Sequence, residues 1–109
     1  MRRRFFALVV AAIASTFAFE MAEAEWTQFQ RDEFNSGCVP ACRNNPSLPG
    51  HLTSRCEAYC TCVMLQGESR FSSAEYEMLE RDTREKRRTP LLEEFSKLSR
   101  ICNQRIFFN

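Results

Sequence analysis

Six cysteines stand at positions 38, 42, 56, 60, 62 and 102, and their spacing constrains this chain more than any other feature. Cys38 and Cys42 are four residues apart, and so are Cys56 and Cys60. On a helix that spacing places both members of a pair on one face. Between the pairs lies Asn44-Asn45-Pro46-Ser47-Leu48-Pro49-Gly50, a stretch dense in turn formers that sends the chain back on itself. An antiparallel hairpin sets Cys38 opposite Cys60 and Cys42 opposite Cys56, whereas the parallel pairing needs a crossing that a short loop cannot make. Cys62 sits about 200° around the helix from Cys60, at ~100° per residue, and so faces away from the hairpin seam. Cys102 is the partner left for it. Six cysteines allow about fifteen pairings in principle, and helix geometry reduces them to Cys38–Cys60, Cys42–Cys56 and Cys62–Cys102.

Disulfides need an oxidising compartment, and the N-terminus supplies an address for one. Arg2, Arg3 and Arg4 precede an apolar run from Phe5 to Phe19 that only Ser15 and Thr16 interrupt. Ala22-Glu23-Ala24 then offers small residues where a signal peptidase needs them, which makes 1–24 a secretory signal peptide cut before Glu25. Glu20 and Glu23 lie unusually near such a site, so the cut can shift. The apolar run falls short of the ~20 residues that span a bilayer, and no second one follows it. The expectation is a secreted or periplasmic protein with no stable membrane insertion after cleavage.

Residues 25–109 hold every cysteine and have room for one domain. A chain of this size buries only about 60–65% of its unfolded surface, so its core needs staples. The sequence has 15 Lys/Arg, with Arg2, Arg3 and Arg4 in the leader, and 14 Asp/Glu, with Glu20 and Glu23 there; twelve of each remain. That balance gives no basic footprint for nucleic acid.

Four helical segments are predicted. The first covers 26–43, carrying Trp26, Phe29 and Phe34 toward Cys38, Ala41 and Cys42. Gly37 and Pro40 weaken it, and a break near Ser36-Gly37 with a restart at Pro40 is the alternative. The second covers 52–66, with Ser54 and Glu57 at capping-box spacing, Thr53 as a competing cap and Gly67 as terminator. Ser72 and Glu75 repeat the capping signal for a third, with Ala74, Met78 and Leu79 inward and Tyr76 on the flank. It ends in Arg84-Glu85-Lys86-Arg87-Arg88. Thr89-Pro90 opens the fourth, where Leu91, Phe95, Leu98, Cys102 and Ile106 form one apolar stripe. The fold class is all-α, a disulfide-stapled helical hairpin followed by two further short helices.

The Cys-x3-Cys pairs, thirteen residues apart, resemble the twin CX3C small chaperones of mitochondrial import, and equally the plant α-hairpinins. The resemblance covers 34–63 and implies a disulfide role for Cys38, Cys42, Cys56 and Cys60 and the hairpin they clamp. The secretory leader, the two further helices, and Cys62 and Cys102 depart from both families. The Tyr59-Cys60-Thr61-Cys62-Val63 core with its helical tail also resembles small uncharacterised exported bacterial Cys-rich helical proteins.

Sharper chemistries find less support. Structural zinc favours C-x2-C knuckles, which are lacking, and His51 is the only histidine. Catalytic dithiols favour C-x-x-C at a helix N-terminus, whereas Cys60-Thr61-Cys62 is C-x-C in mid-helix. One histidine in a Pro/Gly loop with no G-x-S-x-G does not suggest a triad. Glu75, Glu77, Glu80, Asp82 and Glu85 alternate with Arg81 and Arg84 and read as a solvated face. Lys86-Arg87-Arg88 complements a helix C-terminus, and Arg84-Glu85-Lys86-Arg87 also resembles a furin-type processing site. Ile106-Phe107-Phe108 either packs back on the core or offers a docking patch. The expectation is a small exported, non-enzymatic helical protein without cofactor or metal, acting on a protein partner or as a structural element. A thiol-disulfide or metal-handling protein, and an α-hairpinin-like inhibitor or toxin, are the alternatives.

Overall fold

Thr27 starts the first helix. Its hydroxyl accepts the Gln30 N–H at 3.1 Å while Gln30 Oε1 accepts the Thr27 N–H at 2.9 Å, a reciprocal capping box. From that cap α1 runs Gln28–Arg43 in the computed structural model, which describes residues 25–108. The signal peptide expected over 1–24 lies outside the described residues. Trp26, expected inside the helix, instead precedes the cap and folds back to donate its indole N–H to the Phe71 carbonyl at 2.9 Å. The helix passes through Gly37 and Pro40 without the break that the sequence left open. Disulfides at Cys38 and Cys42 hold the chain on both sides of Pro40, which offsets the donor that proline lacks.

After the turn-rich loop, a 3-10 turn over Gly50–Arg55 leads into α2, Cys56–Arg70. The capping box expected at Ser54 and Glu57 does not form, because the chain is already wound before Cys56; Thr53 Oγ1 donates to the Gly50 carbonyl at 2.9 Å. Gly67 is not the terminator either. It lies inside α2, and a Cβ there would stand 2.9 Å from Trp26 Cη2. Its role is to let the indole approach the helix. The helix stops at Phe71, whose backbone is extended.

Ser72 caps α3, Ser73–Arg84, with the capping box that the sequence predicts: the Glu75 N–H to Ser72 Oγ at 3.2 Å and the Ser72 N–H to Glu75 Oε1 at 3.0 Å. Its inward face is not the expected one. Tyr76, Leu79 and Asp82 are buried, whereas Met78 is 49% exposed and Ala74 is exposed. Gln30 fixes this rotation. Its amide donates to the Ser73 carbonyl at 3.1 Å and to Glu77 Oε1 at 2.9 Å, and its oxygen accepts the Ser73 hydroxyl at 2.9 Å. The basic run does not extend the helix. Lys86 takes a left-handed φ of 55° just after it, and Arg84–Arg88 are exposed.

Thr89 then caps α4, Pro90–Phe107, with Pro90 in its first turn. Thr89 Oγ1 accepts the Leu92 N–H at 3.2 Å and donates to the buried Asp82 at 2.7 Å, so one hydroxyl joins the end of α3 to the start of α4. Leu98 and Cys102 are buried on the apolar stripe. Ile106 and Phe107 are half-buried, Phe107 packs on Tyr59 with centroids 5.4 Å apart, and Phe108 is 69% exposed.

The described residues thus form an all-α fold in which a stapled hairpin is followed by two helices. Three bonds join Cys38 to Cys60, Cys42 to Cys56 and Cys62 to Cys102, with Cα atoms 5.9, 5.8 and 5.8 Å apart. Phe71, Leu79 and Leu98 form the buried apolar cluster, with Leu91, Leu92 and Phe95 against it. An aromatic chain continues the core: Tyr76 on Trp26 at 4.6 Å, Trp26 on Phe34 at 6.1 Å, Phe34 on Phe95 at 6.2 Å and Phe95 on Phe71 at 5.9 Å. Each such pair contributes about 0.5–1.5 kcal/mol beyond its buried area.

Candidate functional site

Phe34, Tyr76 and Phe95 of this aromatic chain, with Tyr59, wall a cleft of about 510 Å³ to which all four helices contribute. From α1 come Glu33, Phe34 and the turn around Gly37 and Cys38; α2 adds Tyr59 and Val63. Tyr76, Leu79 and Glu80 line it from α3, and Leu92, Phe95 and Ser99 from α4. The Cys38–Cys60 bond fixes α1 against α2 at this point, and Cys62–Cys102 holds α4 across from them. The walls are therefore held covalently on two sides.

Apolar surface dominates the lining, and its polar groups are few. The hydroxyls of Ser36 and Thr83 are occupied by their own helix, donating to the Glu33 and Leu79 carbonyls at 3.0 and 2.8 Å. Tyr59 and Ser99 bond each other across α2 and α4 at 3.1 Å. Tyr76 is buried, and its hydroxyl donates to Glu33 Oε1 at 2.9 Å, with the charge of Glu80 acting on the same phenol. Burial, then the bond to Glu33 and the negative charge of Glu80 and Glu33, hold this phenol far above its ordinary range. Tyr76 is therefore a fixed neutral donor, and the acceptor of its one proton is Glu33.

No lysine, arginine or histidine lines the cleft. The four ion pairs among the described residues involve Glu57, Glu68, Glu85 and Glu94, so neither Glu33 nor Glu80 has a cationic partner there. The cleft thus joins aromatic walls to negative charge that no side chain compensates. No match is found among family models, curated proteins or solved structures. What the site can do follows from its own chemistry.

The cysteines take no open part in that chemistry. All six are oxidised, and Cys56, Cys60 and Cys102 are fully buried. Three bonds of this kind belong to an oxidising environment, and no helix of the described residues is long and apolar enough to cross a membrane. His51 is exposed on the 3-10 turn, outside the cleft, so the cleft hydroxyls have no imidazole among their neighbours.

The residues that matter most here are not those the sequence marked. The acidic positions of α3 read as one solvated face, but they divide among different tasks. Glu75 caps its helix, Glu77 accepts from Gln30, Glu80 lines the cleft and Asp82 is buried on Thr89. Rotation of α3 by the Gln30–Ser73 contacts turns Tyr76 inward rather than to the flank. No signal within α3 marks this, since the acceptor of the buried phenol, Glu33, lies 43 positions away.

Proposed function

We propose that this chain is an exported, non-enzymatic binding protein whose working surface is the cleft between its four helices, with the disulfides as its frame. The observation that carries this reading is the combination of aromatic walls with the uncompensated Glu33 and Glu80 in a space of small-ligand size. Sites of about 300–1,000 Å³ with apolar walls and a few placed polar groups are the common form of ligand pockets. Placement outside the cytoplasm, secreted or periplasmic, is supported by the leader-like residues 1–24 and by cysteines that are all paired. The likeness of the hairpin to twin CX3C chaperones and α-hairpinins supports a binding role in which the hairpin is scaffold.

Fragment screening by amide and methyl NMR tests the cleft. Binding fragments are expected to shift Val63, Leu79 and Leu92, and Gly37→Leu is expected to weaken them by filling the rim, where a Cβ meets nothing within 4 Å. Shifts that gather on another face, or that Gly37→Leu leaves unchanged, would overturn the reading. Export is tested separately by N-terminal sequencing of the protein outside the cytoplasm, with Glu25 expected as the first residue.

A further inference from the structure

We propose that the cleft takes a small organic cation, an ammonium or guanidinium group carried on an apolar body. The inference rests on the cleft being the binding site and adds the chemistry of its occupant. Four aromatic rings line it, Phe34, Tyr59, Tyr76 and Phe95, and Phe34 and Phe95 meet edge to face at 6.2 Å. Aromatic faces attract a cation through their quadrupole, most strongly where water is excluded. Glu33 and Glu80 both line the cleft, and the one hydrogen bond from the Tyr76 hydroxyl satisfies part of Glu33 and leaves Glu80 without it.

Each class of occupant meets this lining differently. An anion would face two carboxylates with no cationic side chain to receive it. A neutral apolar molecule would strip water from those carboxylates and return no partner, which is costly for an ionised group. A bare divalent ion would find its oxygen ligands too few, and among the described residues no group of three or more His, Cys, Asp or Glu is placed to hold a metal. An organic cation satisfies both surfaces at once, its charge on Glu33 and Glu80 and its body on Phe34, Phe95 and Leu92. The hydroxyl of Tyr76 keeps its proton and goes on donating to Glu33 while it does so.

The experiment is an NMR titration of the intact, oxidised protein with three soluble probes: benzyltrimethylammonium, benzyl alcohol and phenylacetate. The cation is expected to shift Phe34, Tyr76 and Phe95 and to bind about tenfold or more tightly than the other two, the difference that one desolvated charge contact supplies. Glu80→Gln is expected to remove most of that preference by weakening binding of the cation, while benzyl alcohol binds no less tightly than to the parent protein. Equal binding of all three probes in the cleft would overturn the cation inference and leave the cleft reading standing. Binding of none of them there, with fragments also absent, would sink both. A preference for calcium, or for an arginine-containing peptide that benzyltrimethylammonium does not displace, would overturn the small-cation inference in favour of another ligand.

Discussion

The side chain that Gly67 lacks is the space that Trp26 occupies. A methyl group at Gly67 would press on an indole held by its hydrogen bond to Phe71 and packed against Tyr76, so the ring cannot swing aside. Alanine is the better helix former by up to ~1 kcal/mol, but overpacking a buried ring costs about 1–3 kcal/mol. Gly67→Ala is therefore expected to destabilise the protein in chemical denaturation. At Gly37, by contrast, a Cβ meets open space, and Gly37→Ala is expected to stabilise by up to ~1 kcal/mol. The sequence reads Gly67 as a helix end and Gly37 as a weak point within one; both sit in a helix, and only the distant Trp26 reveals why Gly67 must be glycine. Tyr76 gives a second test at this scale. A phenol whose pKa is raised on folding contributes stability that is complete below its unfolded value near ~10 and is lost as pH rises beyond it. Tyr76→Phe is expected to flatten the fall in stability above about pH 10 and to leave the native phenolate absorbance below about pH 11 unchanged.

At the scale of the element, the starts of α3 and α4 and the end of α1 at Arg43 were legible, whereas the start and end of α2 and the rotation of α3 were not. Ser72 with Glu75 and Thr89 with Pro90 are short-range chemistry, complete within four residues, and both caps form as the sequence predicts. The end of α2 past Gly67 and the inward turn of Tyr76 depend on Trp26 and Gln30, residues some forty positions away. The two caps also differ in what they support. Ser72→Ala removes one acceptor and is expected to cost about 1 kcal/mol. Thr89→Ala removes the cap and also the donor to buried Asp82, so its expected cost is larger, about 2–3 kcal/mol. Thermal unfolding of the two variants side by side checks the order; equal losses would mean that Asp82 finds another partner.

At the scale of the molecule, covalent links replace the core that so short a chain cannot build. Two bonds make the hairpin, and the third carries α4 to it across 40 residues. The hairpin pairing was readable because helix periodicity and a turn-rich loop are local. The cleft was not, since its lining brings together Glu33, Tyr59, Tyr76, Glu80 and Phe95 from four helices whose rotations are set by packing. Replacing Cys62 and Cys102 together by serine is expected to cost about 2–4 kcal/mol and to loosen Leu92, Phe95 and Ser99 from the cleft. Hydrogen exchange would then rise in α4 first and in the hairpin last.

The covalent frame underlies every one of these expectations, and mapping it tests them most directly. Partial reduction of the oxidised protein, with cyanylation of each newly freed thiol and mass analysis of the cleaved products, identifies the bonds one by one. The expected result is Cys38 with Cys60, Cys42 with Cys56, Cys62 with Cys102 and no free thiol before reduction. Cys62 bonded within the hairpin, or Cys102 found as a free thiol, would detach α4 from its place and contradict the fold and the cleft together.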